Sequence, residues 1–464
     1  MPGLRRRIFG SLPREVAILT SISFTVALGY GIVAPIIPAF ARHFGVSTAA
    51  AGAVISAFAL MRIAGALPAG RLVDKFGERQ VMTAGITIVA ASSILAGLSG
   101  SFYQLIVLRG VGGLGSAMFS IAGQTLLLGS VPANLRGRAS GRYTGGFLLG
   151  GISGPAIGGA VAVWSQRAPF FIYGALLVVP AVIAATALGG RSRARAAGGP
   201  ERSGRDSADV AGIGGVATAL RSSAYRAAAM ANLADGFAVM GVRAAIVPLF
   251  VADVLHRSAT WTGVGFLVVA AVNGTTLLPA GRAADTIGRR PVLVAGCLAS
   301  AAAMVMLAVL PGLWGFLIAL AVLGIGSGLL DVAPSAIVGD VLGRIGRPGQ
   351  TAAPGESQAA NVAGASGPAG ASGPAGTGGG AMVAGYQMLG DLGTVTGPVA
   401  VGFLVDSVSY GAAFLLAAGV LGAAAILGLL APETGPTSNR RALNRPGGRS
   451  AEGRPGQPQA DTGC

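Results

Sequence analysis

This sequence is short of charge. Aspartate, glutamate, lysine and arginine make up 11% of its 464 residues, where soluble proteins carry about 25%. With 52% hydrophobic residues, that scarcity excludes water as the main solvent and points to lipid. Lysine is almost missing, Lys75 standing alone. Of the two cysteines, Cys297 lies in an apolar run and Cys464 is the last residue, which excludes a disulfide framework. The two histidines, His43 and His256, are far apart and have no metal-ligand company, so no metal site is expected. Phosphate-cradling loops and nucleophile or metal motifs are missing too. An enzyme, a cofactor and ATP-driven work are therefore not expected.

What is abundant is glycine, 77 residues. Between membrane helices, small residues let backbones approach closely. The net charge is +16, yet the arginines fall in short clusters between apolar runs and in both tails. That distribution fits loops facing anionic lipid and not a nucleic-acid reader, for which no motif is present. The basic start followed by the apolar run 16–40 imitates a signal peptide. The run is too long for one and lacks a small-residue cleavage site, so it reads as a first membrane helix.

A bilayer core of ~30 Å needs about 20 apolar residues per helix. Twelve segments qualify: 16–40, 48–69, 81–99, 103–128, 143–163 and 170–188, then 227–251, 261–280, 292–310, 314–338, 382–405 and 410–430. Arginines crowd before the first segment and after every even-numbered one; the alternate loops hold few. Both termini are therefore expected in the cytoplasm. The expected domains are a six-helix bundle over 1–190, a polar linker over 191–222 and a second bundle over 223–431, followed by an unstructured tail over 432–464. A Gly/Ala/Ser/Pro tract over 343–380 reads as an insertion without structure.

The chain repeats itself. "PAGRLVDKFGERQ" from Pro68 returns as "PAGRAADTIGRRP" from Pro279, 211 residues later, and Val111–Ala117 matches Val322–Gly328 at the same offset. Tyr143, Gly150, Gly154 and Pro155 match Tyr386, Gly393, Gly397 and Pro398 at an offset of 243. The extra residues fall in the low-complexity tract. Two parallel halves imply a pseudo-twofold axis along the membrane normal, an architecture that suits halves rocking about a central site.

These motifs resemble the major facilitator superfamily and, within it, the twelve-helix drug:proton antiporter branch. The resemblance covers both membrane halves. Gly70, Asp74, Gly77 and Arg79 are similar to the superfamily's loop between helices 2 and 3, with Glu78 departing from the usual basic residue. Gly281, Asp285, Gly288, Arg289 and Arg290 form the second copy. The resemblance implies that this cluster closes a cytoplasmic gate; the plainer reading is a topogenic charge cluster. Arg109 opens a pattern similar to the family's helix 4, which implies a part in proton transfer; the plainer reading is an arginine reaching for headgroups. Gly141, Gly150, Gly154, Pro155, Gly158 and Gly159 fit the helix 5 pattern of the antiporter branch, while ordinary small-residue packing is the alternative.

Other charges lie within the apolar segments: Arg62, Asp235, Arg243, Asp331 and Asp391. Intramembrane ionisable residues are costly and mark pathways or relays, and a carboxylate in apolar surroundings can load and release a proton near neutral pH. Asp331 and Asp391 are the first candidates, because neither has a basic residue in its own segment. Asp235 and Arg243, eight apart, read equally as a structural pair. Phe24, Tyr30, Phe119, Phe237 and Met240 are candidate lining residues, each equally explained by packing. The expected fold is an all-α membrane protein of twelve transmembrane helices in two pseudo-symmetric six-helix bundles. The expected function is proton-coupled export of small amphipathic organic molecules by a monomer in a bacterial cytoplasmic membrane. The alternatives are a transporter of a sugar, amino acid or other metabolite on the same scaffold, and a non-transporting sensor.

Overall fold

Apolar runs of this length bury their backbone polar groups only as helices, and helices are what form. The computed structural model describes residues 13–131, 135–162, 164–187, 219–310, 312–346 and 379–434. The linker, the insertion and the tail lie almost wholly outside the described residues. Among the described residues, twelve helices are long and apolar enough to cross a membrane. The first half holds α1 (Arg14–Val33, extended by Ile37–Arg42), α2 (Thr48–Phe76), α3 (Glu78–Gly97), α4 (Phe102–Gly129), α5 (Arg136–Ala162) and α6 (Ala168–Ala187). The second holds α7 (Ser223–Asp253), α8 (Ala259–Thr286), α9 (Arg289–Val309), α10 (Leu313–Leu330, then Ala333–Gly346), α11 (Gly379–Ser407) and α12 (Tyr410–Leu430). Serines set several starts: Ser47, Ser101, Ser222 and Ser409 each accept a hydrogen bond from the amide three residues on, satisfying a donor the helix leaves open.

The packing repeats with the sequence. In the first half α1 packs on α5, α2 on α4, α3 on α4 and α6; in the second, α7 packs on α11, α8 on α10, α9 on α10 and α12. The halves meet along two seams, α2 against α11 and α5 against α8.

The charged repeat is not the loop its composition suggests. Gly70–Phe76 continues α2, and the matching residues continue α8 to Thr286. A Cβ at Gly70 or Gly281 would meet nothing within 4 Å, so neither glycine is needed for a turn or a close contact there. The reversal falls on Gly77 (φ 85°) and Gly288 (φ 125°), backbone that side-chain-bearing residues rarely adopt. Three spans depart from regular geometry. α1 breaks at 34–36, beside Pro35; α10 breaks at Asp331–Val332, ahead of Pro334; α7 is a π-helix over Gly236–Val242. Proline accounts for the first two, since it gives no amide to the helix.

Candidate functional site

The fold brings Asp235, Arg243 and Asp331 together in the second half, at the ends of the π-helix and at the break in α10. Arg243 and Asp331 are the charged neighbours of Asp235. The structure does not make Asp235 and Arg243 an ion pair: Oδ1 of Asp235 and Nε of Arg243 are buried without a hydrogen-bond partner among the described residues. Arg243 instead lies over the Phe266 ring, 5.6 Å from its centroid. Asp331 accepts a hydrogen bond from Asn273 Nδ2 at 2.8 Å, and the same nitrogen donates to Ser327 at 3.0 Å. Tyr386 and the buried Cys297 complete the surroundings of Asp235. Widened turns of this kind recur at functional positions. The Phe237 backbone there lies against Gly393 and Gly397 of α11, and Gly236 against Gly390.

Arg109 sits inside the first half at 3% exposure. It lies 4.6 Å over the Phe58 ring, beside Tyr30 and Tyr173. Its Nε is buried without a hydrogen-bond partner among the described residues. It is therefore held by aromatic faces within the bundle and does not reach outward to headgroups. Tyr30 packs on Phe58 with 5.8 Å between centroids and is an electrostatic neighbour of both Arg109 and Arg243. Of the other lining candidates, Phe24 is half-buried, Phe237 is buried at the π-helix, and Met240 meets Arg243 at 4.0 Å. Phe119 does not line a space between the halves. It is 2% exposed, and its backbone nitrogen lies against Gly85 where α3 and α4 cross.

Asp391 is also corrected. Its own helix offers no base, but Arg62 of α2 forms an ion pair with it across the seam, each side chain 27% exposed. From this pair the seam runs to one end of the molecule. Ser56 donates to the Val395 carbonyl at 2.6 Å, and Gly52 lies against Pro398. Asp406 then accepts from the Thr48 and Ala49 amides at 2.9 and 2.8 Å. Beyond them Arg42 and Asp253 pair at 3.1 Å. On the other seam Gly159 meets Gly263, which also lies against the Pro155 carbonyl. The halves thus close at the end opposite the charged repeats, where a Cβ at Gly70 or Gly281 would meet nothing within 4 Å.

The helix 5 pattern divides by task. Gly150, Gly154 and Gly158 press on α1, and Gly159 faces α8 across the seam; a Cβ at Gly141 would meet nothing within 4 Å, so it belongs to neither contact. The second charged copy is held within its own half. Glu433 accepts from the Arg289 and Arg290 amides at 2.9 and 3.1 Å. The buried Arg289 side chain pairs with Asp340 and donates to the Ala336 carbonyl, and Arg290 reaches the Leu429 carbonyl. In the first copy Gly77 makes the turn; Asp74 there and Asp285 in the second copy are both exposed.

Sequence reasoning named Gly159 but missed its counterpart Gly402, the pair Gly52 and Gly263, and Asn273. The signal was present. Gly52 and Gly263 stand 211 residues apart, Gly159 and Gly402 stand 243 apart, and Asn273 occupies the position of Arg62 in the second half.

A sequence profile described as "Major Facilitator Superfamily" matches residues 19–233 and 228–353. "Multidrug resistance protein 1" of Bacillus subtilis (strain 168) is 30% identical over 169 residues, 36% of this chain and 43% of that protein. "Quinolone resistance protein NorA" of Staphylococcus aureus (strain MRSA252) is 29% identical over 164 residues, 35% of this chain and 42% of that protein. The alignments thus span about two fifths of each relative. Among solved structures, a point mutant of the nucleoside transporter NupG superposes with a TM-score of 0.66 at 12% identity, covering 90% of this chain and 99% of that one. A bacterial homolog of the human lysosomal transporter Spinster, inward-facing and occupied, gives 0.63 at 15% identity, covering 89% and 95%. At those identities the likeness is one of fold. With the profile covering well over half its length, this chain is a member of the major facilitator superfamily, a transporter and not an enzyme.

Proposed function

We propose that this protein exports small amphipathic organic molecules in exchange for protons, by alternating access between its two halves. It works as a monomer in the cytoplasmic membrane of a bacterium, with both termini inside. The arginine-rich loops set that orientation, so the end closed by the seams faces outward and the end bearing the charged repeats faces the cytoplasm. The observation that carries the reading is the cluster of Asp235, Asp331 and Arg243 at two helix irregularities, in a bundle whose halves meet at one end.

Two carboxylates and a guanidinium so placed can exchange a proton for a substrate, because a change in one charge alters what the other two can hold. Asn273 holds Asp331 in position by its 2.8 Å hydrogen bond. The likeness of part of the chain to proteins named for multidrug and quinolone resistance supports an amphipathic organic substrate.

The test is dye transport by the purified chain in liposomes under an imposed pH gradient. Transport should stop when an uncoupler collapses the gradient. Asp235→Asn and Asp331→Asn should each abolish gradient-driven transport while dye still binds. Transport that persists without a gradient, or survives in both variants, would overturn the proton-coupled reading.

A further inference from the structure

We infer that Arg42, Asp253, Tyr410 and Asp406 form a latch that holds the outward end of the transporter shut, and that it must open for the outward-facing state. This rests on the alternating-access reading above and adds to it the residues that close one side.

The latch has two parts. In the first, Arg42 ends the extension of α1 and Asp253 ends α7, and they bond at 3.1 Å. They are 211 residues apart, the offset that relates the two halves. Each is therefore the other's counterpart in the repeat, and such counterparts meet only where the pseudo-twofold axis passes between them. A contact on the axis joins the halves whichever seam is considered. Tyr410 donates to the same Asp253 oxygen at 2.5 Å, and Arg42 also donates to Thr48 at 3.2 Å. The carboxylate is thus fixed from its own half while it holds the arginine of the other.

In the second part, Asp406 at the end of α11 accepts from two successive amides, Thr48 and Ala49, at the start of α2. Those amides have no partner within their own helix, and a carboxylate there is favoured by both hydrogen bonding and the helix dipole. The donors belong to one half and the acceptor to the other. Rocking the halves apart at this end breaks both bonds at once and leaves two helix donors bare. Next to it a Cβ at Gly402 would stand 2.6 Å from the Ala49 Cα, so the backbones are close enough for the short aspartate to reach.

The experiment reads the outward end directly. Spin labels are placed at Gly100 and Gly312, exposed residues of the two halves at that end, in the full chain carrying Cys297→Ala and Cys464→Ser in lipid nanodiscs. Pulsed electron resonance then measures their separation. The unaltered latch should give mainly one short distance. Arg42→Asp, which places two acids together, should raise the ratio of long to short distances by about fivefold to tenfold. Asp406→Asn should raise it as well. The exchange Arg42→Asp with Asp253→Arg should return the ratio most of the way, because the two positions are equivalent about the axis. Arg42→Gln and Asp253→Asn give milder versions should a reversal prevent folding, which elution as a single peak establishes. Unchanged distances in every single variant, or an exchange that restores nothing, would overturn the latch. A chain that never shows the long distance with dye or with acid outside would instead overturn alternating access, so the two failures are separable.

Discussion

The two seams between the halves are related by the repeat but held by different forces. On α5–α8 the closest approaches are those of backbone, Gly159 to Gly263 and Gly263 to the Pro155 carbonyl. On α2–α11 the matching approaches recur, Gly402 to Ala49 and Gly52 to the Pro398 carbonyl. To them are added the Arg62–Asp391 pair, the Ser56 hydrogen bond and the Asp406 cap. Among the described residues one seam shows backbone packing; the other adds directed contacts that fix register and can be broken one at a time. Duplication therefore preserved the geometry of the interface and left its chemistry to diverge.

The packing half of that comparison is broken most sharply by bulk. Gly52→Leu and Gly263→Leu should each keep the outward end from closing, at a cost of about 1–3 kcal/mol for a side chain forced into filled space. The label separation at Gly100 and Gly312 would read it. The two effects should be alike; a difference above about tenfold in the distance ratio would show the seams to be unequal even in packing.

The polar half is tested by Arg62→Gln, Asp391→Asn and their combination. Removing one partner strands a partly buried charge and should lower the melting temperature, by an effect of about 1–2 kcal/mol after allowing for the pair's partial exposure. The double variant should recover part of it. Asn273→Ala, at the equivalent position, should leave the seam intact and act on Asp331 alone, visible as altered dye transport with an unchanged label distance.

Salt gives a smaller effect. Arg42 and Asp253 are 37% and 38% exposed, so their pair contributes about 0–1 kcal/mol and is screened. Raising ionic strength to about 1 M should open the unaltered protein slightly and leave an Arg42→Gln, Asp406→Asn variant unaffected. The smallest effect belongs to Gly141→Ala. Nothing stands within 4 Å of its missing Cβ, so stability should change by no more than about 1 kcal/mol, in the favourable direction expected from helix propensity. Transport should persist. A large loss in either would place Gly141 back among the working glycines of α5.

Much of the fold was legible because the controlling quantity is one-dimensional. A run of apolar residues long enough to cross a bilayer must become a helix, so all twelve spans were readable, with ends off by a few residues where helices run past the lipid. The ends were misread most at the charged repeats. Charge marks where lipid stops but not where a helix stops, and α2 continues from Gly70 to Phe76 before Gly77 turns it. The candidate site was legible as a set of residue types. That Asp235, Arg243 and Asp331 are costly in lipid follows from their chemistry.

How those residues are partnered was a different matter. Composition and periodicity along one helix hold no information about a group 329 residues away, which is where Asp391 finds Arg62. The packing of α11 on the Phe237 backbone of α7 is likewise a contact between segments far apart in the chain. By itself the sequence determined the number of spans, their duplication and the places where charge is expensive, since each depends on local hydrophobicity and spacing. Only the tertiary structure decided which end of the bundle is closed and which charges are paired, because both depend on distances between helices that the chain's own order does not set.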